Sequence, residues 1–268
     1  AQLLWFEQRP LTGKHVLVTR PRRQAAELVH KLEQLGAVAH VLPVVEIGAP
    51  PDWSAVDGAL VNLRSFQWLV FTSANGVHAF IARLPHLGLD LRALGPLKLA
   101  VIGPGTAEAL RGYHLVPDLM PAEFRSESLA AALRHQAAGQ RILLARADRG
   151  REILREDLQD VAHVEQVAVY SQVDVDLRCS PELKRIVAGD IDYITLTSSN
   201  IARSLLRSIG AEALTPIRTG RVQLVSISPV TSAVIREFDV PVAAEAKEYT
   251  TEGVMAALVE LAGRRERR

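Results

Sequence analysis

Short runs of β-branched and aliphatic residues alternate along this chain with longer stretches whose apolar residues recur every three or four positions. His15-Val16-Leu17-Val18-Thr19 is the first such run, closed by Arg20-Pro21. Ala25, Leu28, Val29, Leu32 and Leu35 follow at helical spacing, and Gly36 stops the helix. The same reading predicts further strands at about 38–42, 68–72, 98–102, 115–117, 141–145, 164–170, 192–197, 222–226 and 240–244. Between them it predicts helices at 75–84, 105–112, 125–136, 149–160, 199–209, 230–237 and 250–262. Strands alternating with helices of this length make parallel sheets covered on both faces. The predicted class is α/β.

The pattern occurs twice. Residues 67–133 fall on 192–258 at a constant offset of 125, without a gap. Phe71-Thr72-Ser73-Ala74-Asn75 lies on Leu196-Thr197-Ser198-Ser199-Asn200, and Ile102-Gly103-Pro104-Gly105-Thr106 on Ile227-Ser228-Pro229-Val230-Thr231. Upstream, at an offset of 126, Leu17, Arg20, Arg23, Leu28 and Leu32 fall on Leu143, Arg146, Arg149, Leu154 and Leu158. Two extended runs, 39–47 and 163–175, exceed a usual strand of about 5–6 residues and occupy equivalent places in both copies. They are read either as a two-stranded connector that the chain crosses twice, or as parts of two consecutive domains split near residue 139. Periodicity leaves both open.

The chain has 268 residues, enough for two domains of about 100–150 residues each. A net charge of +1 gives no reason to expect a nucleic-acid or membrane surface. No apolar run approaches the ~20 residues of a membrane span. Residues 1–12 do not read as a signal peptide, and Gly263–Arg268 reads as a solvated basic tail (264–268). The single cysteine, Cys179, excludes an internal disulfide. The expected location is the cytoplasm.

Hydroxyls sit at the strand-to-helix turns in both copies: Thr72, Ser73, Ala74 and Asn75 in one, Thr197, Ser198 and Ser199 in the other. They are good N-caps. The same turns suit anions, because a helix N-terminus offers backbone N–H groups and the positive end of its dipole. Two sets suggest one anionic ligand held by two lobes. Gly103-Pro104-Gly105-Thr106-Ala107-Glu108 lacks the third glycine of a dinucleotide fingerprint; it is read as an open turn presenting the Thr106 N–H. The eight histidines show no zinc spacing, and no nucleophile elbow or Walker lysine occurs, so neither metal nor cofactor is expected. Tyr170 closes the long run Val167-Ala168-Val169-Tyr170 and is a proton donor at neutral pH. Its plainer reading is an aromatic cap on a strand.

Taken in order, Val18-Thr19-Arg20-Pro21, Phe71–Val77, Ala100–Gly103 with Thr106, Leu143–Arg146, Val167–Tyr170 and Ile227–Thr231 resemble the uroporphyrinogen-III synthase family over residues 14–262. The opening Leu4-Trp5-Phe6-Glu7 with Arg9-Pro10-Leu11 and Gly13 resembles the junction in bacterial fusions of uroporphyrinogen-III methyltransferase to this synthase. The resemblance implies two flavodoxin-like domains joined by a two-stranded linker: a discontinuous domain 1 (13–43 and 174–263) and domain 2 (48–163), after a linker segment 1–12, with the active site in the cleft between them. It implies closure of hydroxymethylbilane to uroporphyrinogen III with loss of water and inversion of ring D. The hydroxyl leaves ring A, ring D attacks through its substituted carbon, and the spiro intermediate fragments and recloses. Uncatalysed closure gives the wrong isomer, so positioning is the main task.

Eight substrate carboxylates would match the duplicated turns. Tyr170 corresponds to the family's tyrosine held to protonate the departing hydroxyl. Substrate-binding residues carried over are Thr19, Arg20, Thr72, Ser73, Ala74, Asn75, Gly103, Thr106, Arg146, Thr197, Ser198, Ser199, Ser228 and Thr231. Ser228 departs from the family's glycine, which puts close backbone approach there in question. A monomer is expected, with hydroxymethylbilane synthase as a transient partner. Two rivals are a two-lobed small-molecule-binding protein without catalysis and a glycosyltransferase; missing diphosphate glycines and a missing acidic metal motif argue against the second.

Overall fold

A computed structural model describes residues 9–150 and 152–265. Leu4-Trp5-Phe6-Glu7, which carry part of the fusion resemblance, and tail residues Glu266, Arg267 and Arg268 lie outside the described residues. The chain forms two compact units, one of residues up to Glu46 together with Val173 onward, the other of Ile47–Gln172. It therefore passes from one unit to the other twice.

The first unit holds β1 (His15–Val18), α1 (Arg22–Gln34) and β2 (Val38–Val41), followed by β3 (Val45–Gly48), where the chain leaves it. The second unit contains α2 (Ser54–Val61), β4 (Trp68–Phe71), α3 (Ala74–Arg83), β5 (Lys98–Val101), α4 (Pro104–Arg111), α5 (Ser126–Gln136), β6 (Arg141–Ala147), α6 (Ile153–Leu158) and β7 (His163–Asp174). Returning to the first unit, the chain makes α7 (Pro181–Ala188), β8 (Tyr193–Leu196), α8 (Ser199–Ser208), α9 (Ala211–Arg218), β9 (Gln223–Ser226), α10 (Pro229–Arg236), β10 (Val242–Glu245) and α11 (Thr251–Arg265).

The two sheets run β10-β9-β8-β1-β2 and β3-β7-β6-β4-β5. Matching β8 to β4, β9 to β5, β1 to β6 and β2 to β7 makes the orders equivalent. The pairings β1–β2, β1–β8, β8–β9 and β9–β10 are parallel, as are β4–β5, β4–β6 and β6–β7. In the second sheet the counterpart of β10 shrinks to one isolated parallel bridge, Ala100 to Leu119. The predicted strand at 115–117 is thus corrected: Pro117 has no N–H to give a ladder, and His114 at φ 60° turns the chain before it.

Continuous apolar strands read as buried on both faces, and they are. Along β4, Leu69 and Phe71 enter one core while Trp68 and Val70 enter the core on the opposite face. Along β8, Ile194 and Leu196 enter one core and Tyr193 the other. Side chains alternate across a strand, so β4 and β8 each serve two cores. Each fully buried aliphatic or aromatic side chain contributes roughly 1.5–3 kcal/mol of transfer free energy.

Helices α2, α7 and α9 were not predicted. All three have eight residues, and Gly58 in α2 and Pro216 in α9 break the usual helical wording. Helix α11 continues through Arg265, beyond the predicted end at 262.

Candidate active site

Each unit presents its strand-to-helix turns at the carboxyl ends of parallel strands, where ligands of such sheets bind. The turns share one backbone. Ser73, before α3, has φ −162° and ψ 154°; Ser198, before α8, has −164° and 158°; Ser228, before α10, has −163° and 161°. Gly103, before α4, is also extended, at −175° and −179°. The serines cap their helices: Gly76 N–H donates to Ser73 Oγ at 3.0 Å, Ile201 N–H to Ser198 Oγ at 3.2 Å, and Thr231 N–H to Ser228 Oγ at 3.3 Å. Each cap satisfies a third-position donor and leaves the first two N–H groups of the helix outside its own hydrogen-bond ladder. In α4 and α10 the first position is a proline, Pro104 or Pro229, so one donor remains there.

The other residues expected at the site divide by burial. Thr72, Ala74 and Asn75, like Thr197 and Ser199, are half-buried beside their caps. Thr19 is different. It is fully buried, and its hydroxyl donates to the Thr195 carbonyl at 2.7 Å, while Thr195 Oγ1 donates to the Leu17 carbonyl. That pair ties β1 to β8 and commits the Thr19 hydroxyl proton to the strand pairing. Thr106 and Thr231 are buried as well. The Thr106 N–H, expected to be presented, bonds back to the Gly103 carbonyl at 3.1 Å, and Thr231 Oγ1 lies 3.2 Å from Ser228 Oγ.

The duplicated arginines also differ. Arg146 ends β6 almost wholly buried, with Nη1 donating to Glu152 Oε1 at 3.2 Å and to Gln166 Oε1 at 3.4 Å. Glu152 and Gln166 had no distinguishing mark in the sequence. Arg20 follows β1 half-buried; its Nη1 donates to Thr251 Oγ1 at 3.2 Å, and no ion pair holds it among the described residues. Burial pulls the Arg20 guanidinium below its ordinary pKa, with Glu27 acting the other way. A cation in that setting gains from an incoming carboxylate.

Tyr170 lies on β7 where the strand loses register: Arg146 pairs with Ala168, but Ala147 pairs with Tyr170, so Val169 is an extra residue. Such bulges re-aim side chains. The ring packs into the same core as Val167 and Val169, 4% exposed, and its hydroxyl lies 3.0 Å from Ser73 Oγ. Asp148 holds the strand here, its N–H donating to the Tyr170 carbonyl and its carboxylate accepting from Gln172 N–H. Burial pushes the phenol above its ordinary pKa; hydrogen bonds with Ser73, Gln172 and Asn75 and the charge of Arg146 partly offset this. The phenol therefore keeps its proton through neutral pH. Among the described residues, no group of three or more His, Cys, Asp and Glu side chains could hold a metal ion.

The family model for uroporphyrinogen-III synthase HemD matches residues 26–256. The chain belongs to the uroporphyrinogen-III synthase family. It is similar to the uroporphyrinogen-III synthase of Synechococcus elongatus, 31% identical over 264 residues that cover 95% of this chain and 98% of the relative. It is also 31% identical over 225 residues to the porphyrin biosynthesis protein HemD of Ruminiclostridium josui; that match covers 81% of this chain but spans only 44% of the relative. A crystal structure of a mutant uroporphyrinogen III synthase from Thermus thermophilus has the same fold, with a TM-score of 0.69 at 18% identity over 94% of this chain and 99% of that one. Members of the family cyclise hydroxymethylbilane in tetrapyrrole biosynthesis, and the chain is an enzyme of that family.

The backbone at position 228 makes no demand for glycine. At φ −163° the position is ordinary extended chain that any residue adopts, and the serine adds a cap. At Gly103 the space is used differently: a Cβ there would stand 3.0 Å from Phe124 Cβ.

Proposed function

We propose that the chain converts hydroxymethylbilane to uroporphyrinogen III with Tyr170 as the proton donor to the departing hydroxyl, and that the capped turns and Arg20 bind substrate carboxylates. The observation that carries this reading is a buried, protonated phenol at the same sheet edge as a capped turn, 3.0 Å from the capping serine. The N–H groups of Ala74, Gly105, Ser199 and Val230 are the donors for carboxylates. Each such contact at a helix N-terminus is worth roughly 0.3–1 kcal/mol when exposed, so eight carboxylates over several turns are needed for firm orientation. Arg146, already neutralised by Glu152, supports the Tyr170 end of the site more than it binds.

The reaction needs a protonated leaving hydroxyl and a fixed fold of the linear tetrapyrrole. Tyr170 supplies the first and the turns the second. The same reading includes a monomer working in the cytoplasm. Because hydroxymethylbilane closes unaided to the wrong isomer, a brief encounter with hydroxymethylbilane synthase shortens its exposure to water.

The test is Tyr170→Phe, assayed with hydroxymethylbilane generated in situ and products separated as isomers after oxidation. A general acid is worth about 10²–10⁴-fold; the lower end is expected, with KM little changed, because this hydroxyl departs readily. A folded variant at the full rate would remove Tyr170 from the chemistry.

A further inference from the structure

Ser73 and Ser198 are duplicates with the same backbone and the same capping bond, yet only Ser73 meets a phenol. The strand equivalent to β7 in the first unit, β2, ends at Val41, and the residue matching Tyr170 at the offset of 126 is Val44. We propose that Ser73 is a positioning residue for proton donation: it ties Tyr170 to the first turn of α3 and donates a hydrogen bond to the charge that Tyr170 acquires when its proton leaves. The proposal rests on Tyr170 being the acid.

A serine hydroxyl has one proton and two lone pairs. One lone pair accepts from Gly76 N–H at 3.0 Å. The remaining proton rotates about the Cβ–Oγ bond, and at 3.0 Å either oxygen of the pair can be the donor. While Tyr170 is neutral the direction is open. The acid step fixes it. The Tyr170 O–H bond breaks, its proton joins the leaving hydroxyl oxygen, the substrate C–O bond breaks and water departs. A phenolate can only accept, so Ser73 is then the donor. The order becomes Gly76 N–H to Ser73 Oγ–H to Tyr170 oxygen, which links the positive end of α3 to the new negative charge through polarised bonds. The phenol is restored by the proton that the tetrapyrrole releases on closing. The sum is ring closure with loss of water, and no other reactant enters.

Four tyrosines are present, so [ζ-13C]tyrosine NMR gives a small set of resonances, with Tyr170 assigned by its loss in Tyr170→Phe. In Ser73→Ala the Tyr170 resonance shifts and its titration moves further up, kcat falls about five- to tenfold, and KM stays within about twofold. The alkaline limb of the rate profile moves up with the titration, and Ser73→Thr restores both. Ser198→Ala, which loses the same cap, lowers thermal stability to a similar degree but leaves the Tyr170 titration in place. Should Ser73→Ala be too unstable to titrate, Ser73→Asp keeps the cap and replaces the donated proton by another acceptor, so Tyr170 titrates higher still. An unmoved titration in either folded variant, beside a slow Tyr170→Phe enzyme, overturns this proposal alone. A Tyr170→Phe enzyme at full speed overturns the reading on which it rests.

Discussion

At the scale of single residues, a duplicated chain supplies its own controls. Ser73 and Ser198 both follow a threonine, both stand two residues before an asparagine, and have nearly identical dihedrals, so sequence alone expects them to respond alike to substitution. The phenol beside Ser73 separates them. Its arrival there depends on the extra residue Val169 in β7, and no hydropathy pattern announces a bulge. Tyr170 stands out in the sequence as the close of an apolar run, but β7 continues past it to Asp174, and its contact with Ser73 was not legible. The Thr19 bond to the Thr195 carbonyl was not legible either, since a hydroxyl at a strand end has the same sequence signature whether it meets a ligand or a neighbouring carbonyl. Ser198 isolates the proposed anion-binding role because no phenol lies against its hydroxyl among the described residues. Ser198→Asp keeps a strong cap and a charge favoured at a helix N-terminus, so the thermal midpoint should hold or rise. A substrate carboxylate would meet that charge, so KM should increase and the share of uroporphyrinogen III over isomer I should fall. Wild-type kinetics and isomer ratio in this variant would leave the turn as an ordinary cap.

At the scale of elements, turns and central strands were readable because their grammar is local. Serine or glycine before Ala74, Pro104, Ser199 and Pro229 marks helix starts, and four-residue apolar runs mark strands buried on both faces. The short helices α2, α7 and α9 were missed for want of a long apolar period. Gly103 and Ser228 show how one turn tolerates two residues. Removing a serine cap in favour of glycine costs only a few tenths of a kcal/mol, so Ser228→Gly should shift the urea midpoint little. The reverse change is not equivalent. In Gly103→Ser the new Cβ meets Phe124 Cβ at 3.0 Å, and crowding of this kind costs about 1–3 kcal/mol, more than the added cap returns. Gly103→Ser should therefore unfold at clearly lower urea. Equal midpoints for the two variants would show that the loop carrying Phe124 gives way without cost.

At the scale of the whole molecule, the offsets of 125 and 126 pointed to two sheets built alike, since strands, caps and helices repeat together. What periodicity left open was how often the chain crosses. The long run ending in β7 reads the same whether it stays in one unit or leaves it, and only the tertiary contacts show crossings after Glu46 and after Gln172. This connectivity has a consequence for folding. The second unit is one continuous stretch, with a complete sheet and a core on each face, whereas the first must bring together two distant pieces and bear the entropy of closing a long loop. A fragment of residues 44–174 should fold by itself, with a single cooperative urea transition by circular dichroism. Trp68, fully buried in that unit, should report the same midpoint by fluorescence. The fragment keeps Tyr170, Ser73 and Gly103 but lacks Ser198, Ser228 and Arg20. It should therefore leave hydroxymethylbilane to close unaided, giving isomer I. A fragment with no cooperative transition would mean that the units depend on each other for stability, and one that still made uroporphyrinogen III would place the whole site within the second unit.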